Sequence, residues 1–178
     1  MANTYDLISS TTLSSTATSV TFSSIPNTYT DLILRASARS TFTSNAYPNS
    51  FYFRLNGDAT ALYSSINVLQ QDASIFSLRT SGAGSTWFDS FSINSNLSTT
   101  NTFSNAEFYI PSYTVSQNKP ISNFGIADNN ATTAGIVGAT AGLYRSTSAI
   151  NSVTFTLAGP AGSFMADSSF YLYGIKNS

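Results

Sequence analysis

Val153-Thr154-Phe155-Thr156-Leu157 and Ser169-Phe170-Tyr171-Leu172-Tyr173-Gly174-Ile175, with Ala158-Gly159-Pro160-Ala161-Gly162 between them, decide how the chain is read. Both segments are dense in β-branched and aromatic side chains. A Gly/Pro stretch joining two such segments reads as the link between neighbouring antiparallel strands. The second segment is apolar on both faces, with Phe170, Leu172 and Gly174 on one and Tyr171, Tyr173 and Ile175 on the other. A strand with one wet face alternates apolar with polar, so this one is expected to be covered on both sides, in mid-sheet or at a subunit contact. Its removal is expected to unfold the domain.

The same signals recur outward along the chain. Tyr5 to Leu13 reads as an opening strand running into a Ser/Thr-rich loop, and Ser19–Ser23 as a half-buried strand. Tyr29–Ala38, with Leu32-Ile33-Leu34 at its centre, reads as a second strand apolar on both faces. Phe51–Leu55 runs into Asn56-Gly57-Asp58, the strongest hairpin signal present. Ile75–Arg79, Trp87–Ile93, Phe103–Ile110, Ile121–Ala127 and Gly135–Arg145 complete the set, the last so rich in Gly and Ala that a close backbone approach is expected. Leu62, Ile66, Leu69, Ala73 and Phe76 recur at spacings of three and four, which leaves a helix open between Ala61 and Gln71. The Ser-rich composition and Asp72 weigh against it. Ser81-Gly82-Ala83-Gly84-Ser85 reads as a flexible loop. Many short strands with regular turn signals predict an all-β domain over 1–178, an antiparallel β-sandwich of jelly-roll type.

Composition narrows function. The 178 residues include 13 Phe and 10 Tyr, enough aromatic surface to fold, while charged residues are 8%. Ser, Thr and Asn make up roughly two-fifths, so the surface must be coated with hydroxyls and amides. A net charge of −1 with scattered Lys and Arg gives no basic face for nucleic acid. Neither a membrane-spanning run nor a polybasic anchor is present, and Met1-Ala2-Asn3-Thr4 lacks the features of a signal peptide, so synthesis in a cytoplasm without secretion is expected. His and Cys are absent, which removes the commonest general base and the commonest metal ligands.

The remaining chemistry is thin. A Ser–Lys pair would need Lys119 or Lys176, both of which read as solvated. Glu107, the one Glu, and Asp89 lie on different strands and could be drawn as a glycosidase pair, but no local motif joins them. Asp128-Asn129-Asn130 reads as a turn and not as a calcium loop. No catalytic residue, cofactor or metal is expected. Trp87 and Phe88, with Tyr47 in a polar loop, suit a sugar-stacking or partner-binding surface, although a core position is the more ordinary reading of a Trp.

Three stretches resemble small virion structural proteins of tailed bacteriophages, those of cyanobacterial phages in particular. They are Tyr29-Thr30-Asp31-Leu32-Ile33-Leu34-Arg35, then Arg54-Leu55-Asn56-Gly57-Asp58 with Tyr63-Ser64, and Phe170-Tyr171-Leu172-Tyr173-Gly174-Ile175-Lys176. The resemblance implies a β-sandwich on the outside of the particle, as capsid decoration or as part of a fibre. It carries the expectation of a homo-oligomer, a trimer, that binds the major capsid protein, is made in the host cytoplasm, and binds neither nucleic acid nor membrane. Residues 1–13 are then expected to form an arm that orders on docking, through Asn3, Tyr5, Leu7 and Ile8. The alternative is a host-recognition module that binds carbohydrate through Tyr47, Trp87 and Phe88.

Overall fold

Alternation of apolar and polar positions draws the chain into extended segments that pair edge to edge, and no described residue is helical. A computed structural model describes residues 5–43, 49–128, 135–157 and 162–176, without the side chains of 49–50, 80–83 and 91. The strands are β1 (Tyr5–Thr12), β2 (Ser19–Phe22), β3 (Asp31–Ala38), β4 (Asn49–Leu55), β5 (Tyr63–Gln71) and β6 (Ser74–Ser85). They continue as β7 (Phe88–Ile93), β8 (Ser104–Ile110), β9 (Lys119–Asp128), β10 (Gly135–Tyr144), β11 (Val153–Leu157) and β12 (Ser169–Ile175).

Eight strands form one sheet in the order β1-β12-β3-β8-β9-β10-β5-β6, and four form a second in the order β2-β11-β4-β7. Every ladder is antiparallel. The two sheets pack through their aromatic faces. Phe51, Phe53, Phe88 and Phe155 from the smaller sheet meet Phe108 and Phe170 from the larger, and Phe164 closes one side. Phe51 stacks on Phe155 at 5.2 Å between ring centroids, and Phe155 lies 5.5 Å from Phe170. Each such buried ring contributes about 1.5–3 kcal/mol by leaving water.

This packing corrects the reading of the two closing segments. β11 and β12 are not sheet neighbours; they lie in opposite sheets and meet face to face across the core. Periodicity shows which residues point inward but is silent on which sheet receives the strand. β12 does sit inside a sheet, between β1 and β3. Its inner face, Phe170 and Leu172, is fully buried, while Tyr171 and Tyr173 on the outer face are half-buried and no second layer covers them.

Other expectations change as well. Residues 63–71 form β5 and no helix, and Asp72, at φ +52°, heads the tight turn into β6. The supposed loop at 81–85 is the end of β6, where the pairing skips from Ser65↔Thr80 to Tyr63↔Ser85 and the strand bulges. Asn56 and Gly57 take positive φ (54° and 64°), and the Asp58 amide donates to the Leu55 carbonyl. The chain leaving this turn nevertheless crosses to the other sheet, because the Tyr63 hydroxyl hooks back onto the Leu55 backbone and buries the ring there.

Residues 5–12 are not a free arm. They are the edge strand β1, paired along its length with β12, with an irregularity between Leu7 and Ser9. Tyr5 and Leu7 project outward, and Ile8 packs against the core. An arm that orders only on docking therefore does not describe these residues, and Asn3 lies outside the described ones.

Candidate interaction surfaces

The sequence-derived candidates separate when placed on the fold. Phe88 is fully buried, its ring 4.7 Å from Phe53, and reaches no ligand. Trp87 is not in the core. It stands half-buried on the outer side of the smaller sheet, stacked 6.2 Å from Tyr52, with the Arg54 guanidinium 3.3 Å from its ring centroid. Arg54 is held there by its Nε donating to the Thr86 carbonyl. A cation on the ring gains from the aromatic quadrupole, and here it occupies a face that a sugar would need. Burial and the nearby Asp89 carboxylate raise the pKa of Tyr52, so its hydroxyl stays protonated. Tyr47 lies outside the described residues.

The catalytic candidates come apart. Glu107 is on β8 and pairs with Arg35 at 2.7 Å on the outer face of the larger sheet. Asp89 is on β7 opposite Tyr52, on the outer face of the smaller sheet. Two sheets packed ~10 Å apart stand between them, so they cannot flank one glycosidic bond. Lys119 is neither in a loop nor solvated. It begins β9 with its side chain fully buried, and its ammonium donates to the carbonyls of Val115 at 2.8 Å, Gln117, and Ser146 at 3.5 Å. Burial lowers its pKa, but its protons are committed to backbone oxygens that the lysine holds in place. Arg39 works in the same way: its guanidinium ties the carbonyls of Thr99 (2.6 Å), Ser98 (2.8 Å) and Thr102 (3.2 Å), which shapes the loop between β7 and β8. No group of three His, Cys, Asp or Glu side chains suited to a metal occurs among the described residues.

Sequence reading missed the outer face of the larger sheet. From β9 to β6 it carries large apolar side chains outward. The registers Val137↔Ile126, Ala139↔Phe124, Ala139↔Val68 and Ala141↔Ile66 put these side chains on one face, turned away from the smaller sheet. Phe124 is 58% exposed and Val68 54%, and Ile66, Ile126 and Val137 are exposed as well. The middle inward positions of the same strands are polar or small, Ser65 and Asn67 on β5, Asn123 and Gly125 on β9, Gly138, Thr140 and Gly142 on β10, while Tyr63, Ile121, Ile136 and Tyr144 keep large apolar side chains inside at the ends. Among these buried groups, Asn67, Thr140 and Asn123 are hydrogen-bonded. Thr140 meets the Asn67 amide oxygen at 2.6 Å, Ser90 donates to the Asn123 amide oxygen at 2.5 Å, and the Asn123 amide donates to the Glu107 carbonyl at 2.9 Å.

Shallow grooves of about 280 and 250 Å³ run across this face. Ile66, Arg79 and Ala141 line the first, and Val68, Ile75, Phe124 and Val137 the second. No family model matches the chain, and no curated protein matches it in sequence.

Proposed function

We propose that the chain is a virion structural protein of a tailed bacteriophage, a decoration (cement) protein that binds the outside of the head and clamps neighbouring major capsid subunits. The observation that carries this reading is the uncovered sheet face whose large apolar side chains point away from the core. Such a face suits permanent contact with other protein, since monomers rarely expose apolar patches of this extent. The candidate catalytic groups favour it too, because Glu107 and Asp89 are on opposite sides of the sandwich and Lys119 holds backbone carbonyls. A near-neutral, hydroxyl-rich surface suits a particle coat that must gather neither polyanions nor stray cations. Affinity then comes from buried area multiplied by copy number.

We further infer a jelly-roll winding. What supports it is the strand order: β1-β12-β3-β8 faces β2-β11-β4-β7, the two four-stranded layers that such a winding makes, and β9, β10, β5 and β6 extend the first layer. The working unit is a closed homo-oligomer, a trimer, made in the host cytoplasm and docked on major capsid protein.

Mixing purified protein with capsids stripped of their outer proteins tests this. Saturable binding is expected, at on the order of hundreds of copies per particle, whereas roughly a dozen would assign it to a collar or fibre. Failure to bind, together with a strictly monomeric free state, removes the reading.

The second reading is a host-recognition module that binds carbohydrate. The surface position of Trp87 beside Tyr52 favours it, with the Arg54 guanidinium displaced from the ring by the sugar. Trp87 is the single Trp, so its fluorescence would shift on adding host polysaccharide. An unchanged spectrum leaves the first reading alone.

A further inference from the structure

We infer that the apolar outer face of β9, β10, β5 and β6 is the surface on which a second copy of this chain packs. Register fixes the direction of every side chain in a ladder, so the outward apolar side chains form one continuous face and are not stray residues. At their fractional exposures, Ile66, Val68, Ile75, Phe124, Ile126 and Val137 together present roughly 600 Å² of apolar surface, the upper end for a free monomer. With Gln70, Ser77, Ala139 and Ala141 beside them the face reaches about the 800 Å² that one partner gives to a standard interface.

The distribution of charge says which partner fits. Within these four strands the formal charges are Arg79, Asp128 and the buried Lys119. Arg79 lies at one end of the face, and Asp128 lies at the other with the turn residue Asp72. A copy laid on the face with its strands reversed brings Arg79 toward the acidic end of its neighbour, and the apolar middles coincide. The edge strand β6 adds to this. Its inner side chains Phe76 and Leu78 lie beyond the smaller sheet and are exposed, so the wing offers apolar surface on both sides. One unlike partner would cover a single side, whereas neighbouring copies can cover both.

This refines the proposed function, since a contact between like faces closes on a twofold axis and joins the copies in pairs in place of a trimer, and it rests on the chain working as an oligomer. The test is sedimentation velocity on the parent, on Val68→Lys and Phe124→Lys, and on Ser116→Lys, an exposed position in the loop before β9 and outside the ladder face. The expected result is an oligomer for the parent and Ser116→Lys, with self-association at least ~100-fold weaker in the two wing variants through like-charge repulsion in the contact. Unchanged far-UV circular dichroism would show that the variants are folded. Should they fail to fold, the cysteine-free chain permits a milder probe, Val68→Cys. Its thiol should be protected from a maleimide in the assembled protein and react on dilution.

Wing variants that assemble like the parent, or a Val68→Cys thiol that reacts freely in the oligomer, would overturn the inference. A monomeric parent overturns it too. In that case capsid binding separates the outcomes: a monomer that binds capsids, and loses binding with Phe124→Lys, assigns the face to the shell and keeps the proposed function.

Discussion

A methyl group on Gly142 would lie 2.7 Å from the Ser64 carbonyl oxygen and run into the Phe88 ring. On Gly174 it would enter the Tyr29 ring. Both glycines are therefore demanded by what lies on them, and Gly142→Ala or Gly174→Ala should lower stability by about 1–3 kcal/mol in urea unfolding. Tyr63 makes a different kind of demand. Its buried hydroxyl accepts from the Leu55 amide at 2.9 Å and its ring stacks on Tyr144 at 4.8 Å. Tyr63→Phe keeps the stack but leaves that amide unpaired, at about 1–3 kcal/mol. Asp58 gives a pH signature. Hydrogen bonds from the Thr60 hydroxyl and amide, and from Tyr144, hold its carboxyl below its ordinary pKa. A depressed folded pKa means that the stabilisation is whole above the unfolded value and is lost as pH falls through the folded one. Asp58→Asn should therefore be less stable than the parent at neutral pH, with the gap closing in strong acid.

At the scale of strands, legibility followed polarity. β3, β4, β11 and β12 put large apolar side chains inward, so alternation or continuous apolarity marked them before any fold was known. β5 hid because its inward positions include the polar Ser65 and Asn67, and the partner that lets Asn67 be buried, Thr140, comes from another strand. The outward Ile66, with Leu62 packed against the core before the strand begins, then mimics a helical spacing. Lys119 hides in a related way: the Val115 and Gln117 carbonyls that accept its protons are in the loop just before it, but the Ser146 carbonyl comes near only when β9 and β10 pair. Trp87 was half legible, an aromatic beside polar loops, but the Arg54 that covers it comes from a neighbouring strand. The inward polar pairs carry their own prediction. Asn67→Leu alone strands the Thr140 hydroxyl and should cost about 1–3 kcal/mol, and adding Thr140→Val should recover part of that loss, because both partners are then apolar. A double-mutant cycle in urea measures the coupling.

For the whole molecule, stability rests on apolar contact more than on charge. The ion pairs found among the described residues, Arg35 with Glu107 and Lys176 with Asp6, are half-exposed. Pairs of this kind contribute ~0–1 kcal/mol. The melting temperature should move by no more than about 3 °C between low salt and about 1 M sodium chloride. A much larger fall would place the stability in surface electrostatics after all.

The pairing of β1 with β12 sets a condition on synthesis. As the ribosome extends the polypeptide, the earliest strand emerges long before its partner exists, and β2 likewise waits for β11. Neither sheet can close before β11 and β12 have been made, so the earlier strands must stay unaggregated on hydroxyls and amides until then. Ladders spanning nearly the whole length make loop closure slow, and refolding from denaturant should take milliseconds to seconds or longer. Stopped-flow fluorescence of Trp87 would time it.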